Sequence, residues 1–260
     1  MPHAADRYER FVATPDYREG RIRKARVIGH LCADHLTGRA GAADLGAGTG
    51  IIRTELEKNT GNPLYGLEID GDFIVDRERM VRGDALRVPF RDESLDFALL
   101  NHVYEHVPDP ARLFEEAYRV MRPGGVVYVT AGNRFAVMEP HYRLPFLSWL
   151  PRRLASLYLR VSRRGAGYED IRFLSYRSLT RLMRGAGFLI HDITESAIDD
   201  QIDATWGNRW ASVWHRIRRL PGGIRASALR AWSPQWFFFL ERPPRPPDTT
   251  GRDDRREERR

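Results

Sequence analysis

An open α/β sheet flanked by helices is the fold the sequence predicts, and three observations predict it. Short apolar runs alternate with amphipathic helical patterns through the first half of the chain, as parallel βαβ units require. A glycine-rich stretch, Asp44-Leu45-Gly46-Ala47-Gly48-Thr49-Gly50, lies between the first apolar run and the helix after it. Acidic residues close successive runs (Asp44, Glu68, then Asp84) at the ends where such sheets bind ligands.

Residues 1–20 are polar and read as a lead-in. A helix is predicted over 21–37, with Ile22, Val27, Ile28, Leu31 and Leu36 near helical spacing and Gly38 as its stop. Strands follow at Ala42–Leu45, Leu64–Ile69, Met80–Gly83 and Leu95–Leu100, with a helix from about Ile51 to Lys58 after the glycine loop. Pro110–Met121 sets Leu113, Phe114, Ala117, Val120 and Met121 on one helix face. Arg122-Pro123-Gly124-Gly125 should end it before a strand at Val126–Thr130. The rhythm then breaks over 134–168, rich in Pro, Arg, Trp and Leu. It resumes with a helix at Ser178–Gly185 and strands at Phe188–Thr194 and Trp236–Leu240. Between the last two, Trp206, Trp210 and Trp214 share one helix face, with core packing as their expected role. One domain over 1–240 is expected, with insertions at about 134–176 and 200–232. The polar tail 241–260 should be disordered.

Composition narrows the class. The chain has 260 residues with 42% hydrophobic content, enough for one sizeable core. No apolar run approaches the roughly 18 residues of a membrane span. The N-terminal MPHAADRYERF reads as no signal peptide. The sole cysteine, Cys32, excludes a disulfide scaffold and a thiolate zinc site, and no metal site is expected. A cytoplasmic protein is expected. The net charge of +7 invites an anionic partner. Only Lys24 and Lys58 are lysines, so the other 40 basic residues are arginines, a bias that dilutes arginine abundance as a signal. Distribution is more informative: Pro140 to Tyr168 holds six arginines and no acid, and so does Ala204 to Leu240.

The glycine loop carries the chemistry. Its glycines permit a tight turn and close approach of a ligand to the backbone. Its spacing is G-x-G-x-G, with Ile51 after Gly50, and departs from the G-x-G-x-x-G of dinucleotide sites. A pyrophosphate would not favour the Asp44 carboxylate at the loop entrance, whereas a cationic amino-acid group would. Glu68, 20 residues past Gly48 in Gly66-Leu67-Glu68-Ile69-Asp70, can accept both hydrogen bonds of a ribose diol. Asp84, in Gly83-Asp84-Ala85, falls where an adenine amino group would lie.

DLGAGTG, GLEID, GDALRVPFRDESLDFALLNHVYEHVPDP and YRVMRPGGVVYVTAGN resemble the successive motifs of class I S-adenosylmethionine-dependent methyltransferases. They are most similar to the methyltransferase domain 11 group, which includes ubiquinone- and menaquinone-type enzymes. The resemblance covers roughly 40–135. It implies a Rossmann-like seven-stranded sheet with helices on both faces and an antiparallel last strand, and S-adenosyl-L-methionine as cofactor. By the resemblance, Asp44, Gly46 and Gly48 hold the methionine part, Glu68 the ribose, with Asp70 a rival, and Asp84 the adenine, while Asn101 faces the sulfonium. Ala47, Gly50, Ile69 and Ala85 complete the expected cofactor-binding set.

The methyl acceptor is less legible. The N/D-P-P-Y/F motif of amino-directed nucleic-acid enzymes is replaced by Asn101-His102-Val103-Tyr104. Cys32 lies in the N-terminal helix, away from a pyrimidine-C5 nucleophile's place, and Lys24 and Lys58 are not where 2′-hydroxyl enzymes keep lysines. Nucleic acid is therefore disfavoured. Of His102, His106 and His141, the last two are the candidate proton acceptors for a hydroxyl. The expected function is methyl transfer, at oxygen, to a small-molecule, lipid-linked or glycan-type acceptor. The alternatives are an RNA or protein methyltransferase, or a catalytically silent S-adenosylmethionine-binding module. The segment 140–165 reads as a substrate lid whose apolar and arginine mixture suits peripheral contact at the inner membrane face.

Overall fold

The computed structural model describes residues 14–245, apart from 37, 39, 75–76, 170 and 206–207; side chains are not described at 201–211 and 213. The N-terminal helix α1 spans Pro15–Leu31, earlier than the predicted 21–37. Its start is set by Thr14, whose hydroxyl accepts the Tyr17 N–H at 3.3 Å, and by Pro15 in the first turn. The chain breaks helix at Cys32 and adds one turn, α2, at Ala33–Leu36.

Strand β1 is Ala42–Leu45 and helix α3 is Ile51–Thr60. Three strands follow: β2 at Leu64–Glu68, β3 at Met80–Arg82 and β4 at Leu95–Asn101. Helix α4, Pro110–Val120, is capped by Asp109, whose carboxylate accepts the Ala111 and Arg112 N–H groups at 3.0 and 3.1 Å. Strand β5 runs Met121–Gly132, seven residues longer at its two ends than the predicted 126–130. Arg122-Pro123-Gly124-Gly125 does not separate helix from strand. Gly124, at φ +78°, carries an irregularity inside β5, where the pairing with β4 jumps from Leu95↔Met121 to Phe97↔Val126.

Next come a two-stranded hairpin, β6 (Met138–Glu139) with β7 (Leu144–Pro145), a 3-10 turn at Leu147–Trp149 and helix α5 (Arg152–Val161). The main sheet resumes through helix α6 (Tyr176–Gly185) and strand β8 (Leu189–Asp192). Helices α7 (Thr194–Thr205), α8 (Asn208–Ile217) and α9 (Gly222–Trp232) lead to β9 (Gln235–Glu241). Of the tryptophan stripe, Trp214 is buried and donates its indole N–H to Asp199 at 2.6 Å. Trp206 and the Trp210 side chain lie outside the described residues, as does the tail from 246 onward.

The seven-stranded sheet has the order β3-β2-β1-β4-β5-β9-β8, with β9 antiparallel to both neighbours and the other adjacent pairs parallel. Alternation along β4 feeds two cores. Ala98 and Leu100 face Leu113, Phe114, Leu179 and Met183, whereas Phe97 and Leu99 face Ile28, Ile52 and Leu56. A third cluster, around Leu144, Leu147, Leu159 and Phe173, forms the core of the inserted segment between β5 and α6. The order reverses between β1 and β4, so the ligand crevice is expected at their carboxyl ends. No helix among the described residues is long and apolar enough to cross a membrane.

Candidate functional site

Asp44 is the penultimate residue of β1, paired with Leu99 of β4, and Asn101 ends β4 itself. Both sit at the reversal point. The Asp44 carboxyl is buried, and its Oδ1 has no hydrogen-bond partner. Burial first, then the Glu68 charge, push Asp44 up to about 7, against partial relief from Arg21 and Arg53. The Asn101 Oδ1 is likewise buried and unpartnered. Such orphaned acceptors are rare in folded proteins, and here two lie on the neighbouring strands β1 and β4.

The glycine loop is held close against β2. Gly46 and Ala47 donate their N–H groups to the Leu67 carbonyl at 2.8 and 2.9 Å. Gly46, Gly48 and Gly50 adopt φ of +89°, +54° and +77°, and a Cβ on Gly46 would meet Val103 at 2.7 Å. Only glycine fits that first position without strain.

Glu68 locks the loop from the neighbouring strand. Its Oε2 accepts the Gly48 N–H at 2.8 Å and its Oε1 accepts the Asp70 N–H at 3.0 Å. Asp70 instead points its Oδ1 to the Asp72 N–H, capping the 3-10 turn Gly71–Phe73. The two acids that the sequence left as rivals therefore have different local work. Asp84 is exposed and accepts the Leu86 N–H at 2.8 Å, Ala85 beside it is buried, and Ile69 is largely exposed.

A second cluster lies past β4 and β5. His102, at φ +56°, bonds Glu105 Oε1 through Nδ1 at 2.9 Å, and its Nε2 lies 3.0 Å from the Gln235 amide. Burial and then the Lys24 charge lower the His102 pKa, with Glu105 opposing. Burial acts to raise Glu105, but the bond and charge of His102 outweigh it and hold the carboxyl below its usual range. Its Oε2 has no partner. His141 directs Nδ1 to Oε1 of the fully buried Glu139 at 2.8 Å, with the His106 ring edge-on at 5.4 Å and Phe173 at 5.8 Å. Phe173 packs tightly over Gly132, and Arg172 donates its N–H to the Glu105 carbonyl at 2.8 Å. These contacts tie the segment after α5 to the chain at the ends of β4 and β5.

Sequence reasoning missed Glu105, Glu139 and Lys24. Burial first, then Arg21, bring Lys24 down to about 7, with Glu105 opposing. The signal available was spacing: Glu105 stands three residues after His102, and Glu139 two before His141.

Sheet order, glycine loop and acid-tipped strands are those of class I S-adenosylmethionine-dependent methyltransferases, whose cofactor is S-adenosyl-L-methionine. Residues 43–129, about a third of the chain, match the family described as "Methyltransferase domain", and the chain carries that domain. A demethylmenaquinone methyltransferase of Lactiplantibacillus plantarum is 28% identical over 174 residues, covering 59% of this chain and 72% of that protein. An uncharacterized methyltransferase of Mycobacterium tuberculosis is 33% identical over 135 residues, 48% of this chain. The chain spans about half the length of that relative, 53%. Among solved structures, Haemonchus contortus phosphoethanolamine N-methyltransferase 2 in complex with S-adenosyl-L-methionine matches with a TM-score of 0.51 at 16% identity, covering 85% of this chain and 52% of that one. A chain from the complex of the Haloferax volcanii Trm112 methyltransferase activator with a methyltransferase gives 0.53 at 16%, covering 89% and 96%. At such identities these structures speak to fold alone.

The residues present fit the cofactor. The charge of the partly buried Glu68 adds to burial in raising the Asp44 carboxyl, a like-charge arrangement that a cationic ligand relieves. The unpartnered Asp44 and Asn101 oxygens and the glycine turn supply acceptors and room for a ligand pressed against the backbone.

Proposed function

We propose that this enzyme transfers a methyl group to a hydroxyl oxygen of a small or lipid-linked acceptor. The sulfonium supplies an electrophilic methyl when bound; the chain's task is to orient it, exclude water and receive a proton. Asp44, the glycine loop and Glu68 would hold the donor. Asn101 would aim its side-chain oxygen towards the positive end of that donor.

The observation that carries the oxygen assignment is the Glu139–His141 pair. A carboxylate only accepts, so the proton of the 2.8 Å bond sits on Nδ1 and leaves the Nε2 lone pair available. His141 Nε2 would receive the proton that the acceptor hydroxyl gives up. Glu139, buried and also accepting the Tyr142 N–H at 2.7 Å, fixes that tautomer.

A screen of hydroxyl-bearing acceptors with methyl-labelled cofactor tests the reading. Label should be recovered in an ether. His141→Gln should lower kcat by roughly 10² or more while leaving cofactor affinity unchanged. Label found on nitrogen or carbon, or an unchanged kcat in the variant, would overturn it.

A further inference from the structure

We infer that helix α5 and the turn before it form a docking face for an anionic lipid bilayer surface. This face is separate from the methyl-donor site, and the inference stands whichever acceptor takes the methyl.

Helix α5 has two apolar sides. Ala155, Ser156 and Leu159 turn inward and are buried over the lid core. Leu154, Leu157 and Val161 recur at i, i+3 and i+7, on the opposite side by helical geometry. They are 52%, 55% and 74% exposed. A helix that only caps a sheet needs one apolar stripe, and the second has no partner among the described residues. Just before it, Trp149 gathers Phe135 and Phe146 edge-on at 5.7 and 5.2 Å, and all three rings are more than a third exposed. The Trp149 indole N–H meets the Ala136 carbonyl at 2.9 Å, so an apolar ring faces outward with its polar atom satisfied.

Charge decides between occupants. Arg153 and Arg160 flank the stripe, Arg152 and Arg163 stand exposed at the two ends of the helix, and no carboxylate among the described residues pairs with any of the four. The sequence from Pro140 to Tyr168 contains no acid at all. A second copy docked through the same face would set these arginines against their own images. An apolar stripe rimmed by unneutralised arginines instead matches a bilayer, with aliphatic side chains entering the interface and guanidinium groups at anionic headgroups.

Co-sedimentation of the full chain with vesicles tests this, comparing phosphatidylcholine alone with phosphatidylcholine containing phosphatidylglycerol. Binding should be stronger on the anionic vesicles and should fall as salt rises from about 0.1 to about 0.5 M. Leu154→Ser, Leu157→Ser and Val161→Ser together should lower partitioning roughly tenfold or more. Arg152→Ser with Arg153→Ser should lower it by a similar factor on anionic vesicles only. These positions are solvent-facing, and an unchanged melting shift with S-adenosylmethionine verifies that the variants remain folded. Equal binding to both vesicle types, binding indifferent to the three serines, or no binding at all overturns the inference. So does a dimer in sedimentation velocity that the three serines dissolve while vesicles bind nothing.

Discussion

Asp44 should make cofactor binding depend on pH in a calculable way. The ligand-free carboxyl, buried beside Glu68, titrates at about 7. A cationic ligand needs it ionised, so below pH 7 binding must first expel a proton. Affinity should then fall about tenfold per pH unit well below 7, about 1.4 kcal/mol for each. Between pH 8 and pH 6 the dissociation constant should therefore rise roughly tenfold. Calorimetry at pH 6 in two buffers of different ionisation enthalpy should show close to one proton released per ligand. Asp44→Asn should bind more weakly and lose most of this slope.

The same displacement governs stability. A carboxyl whose folded pKa is raised from 3.8 to about 7 contributes stability below its unfolded pKa that is lost as pH rises through its folded one. The full displacement corresponds to on the order of 4 kcal/mol. Ligand-free Asp44→Asn should accordingly melt higher than the parent at pH 8, with a smaller gap at pH 5, while its ligand-induced melting shift shrinks. A flat affinity profile in the parent, or an equal slope in Asp44→Asn, would refute the reasoning.

Three further outcomes follow from named contacts. Glu68→Ala should weaken S-adenosylmethionine binding by roughly 2 kcal/mol in titration calorimetry, because it removes charge-assisted bonds and frees the Gly48 N–H. Asp70→Ala, which only uncaps a turn, should cost less; the reverse order would move the ribose contact to Asp70. Gly46→Ala should abolish measurable binding and lower the melting temperature, since the added methyl combines a positive φ with a 2.7 Å approach to Val103. Glu116→Ala should destabilise the chain by about 3 kcal/mol in urea unfolding, because Arg112, Arg119 and the Val88 N–H all converge on that buried carboxylate.

The strand ends and the loop that carry the donor-side candidates were legible in sequence because their determinants are local. The glycine turn, Glu68 and Asp84 each follow directly on a short apolar run, and strand ends in a parallel sheet lie together by construction. Helix and strand limits were misplaced where capping outweighed periodicity. Thr14-Pro15 begins α1 before its apolar spacing does, and Gly124 accommodates an irregularity within β5 where a break was expected. The histidine–carboxylate cluster was not legible for a different reason. His102 and Gln235 meet across 133 residues of sequence separation, and Lys24 arrives on a helix from the other end of the chain. What makes these groups chemically distinctive is burial by distant segments, which no local pattern encodes. Glu139 resembles an ordinary loop acid until the lid folds over it.

Titration calorimetry of the full chain with S-adenosyl-L-methionine and, separately, with NAD tests the central assignment most directly. The grouping of Asp44, the G-x-G-x-G loop and Glu68 predicts micromolar-range binding of the first, about −7 to −8 kcal/mol, and no binding of the second. Binding of NAD with none of S-adenosyl-L-methionine would contradict it.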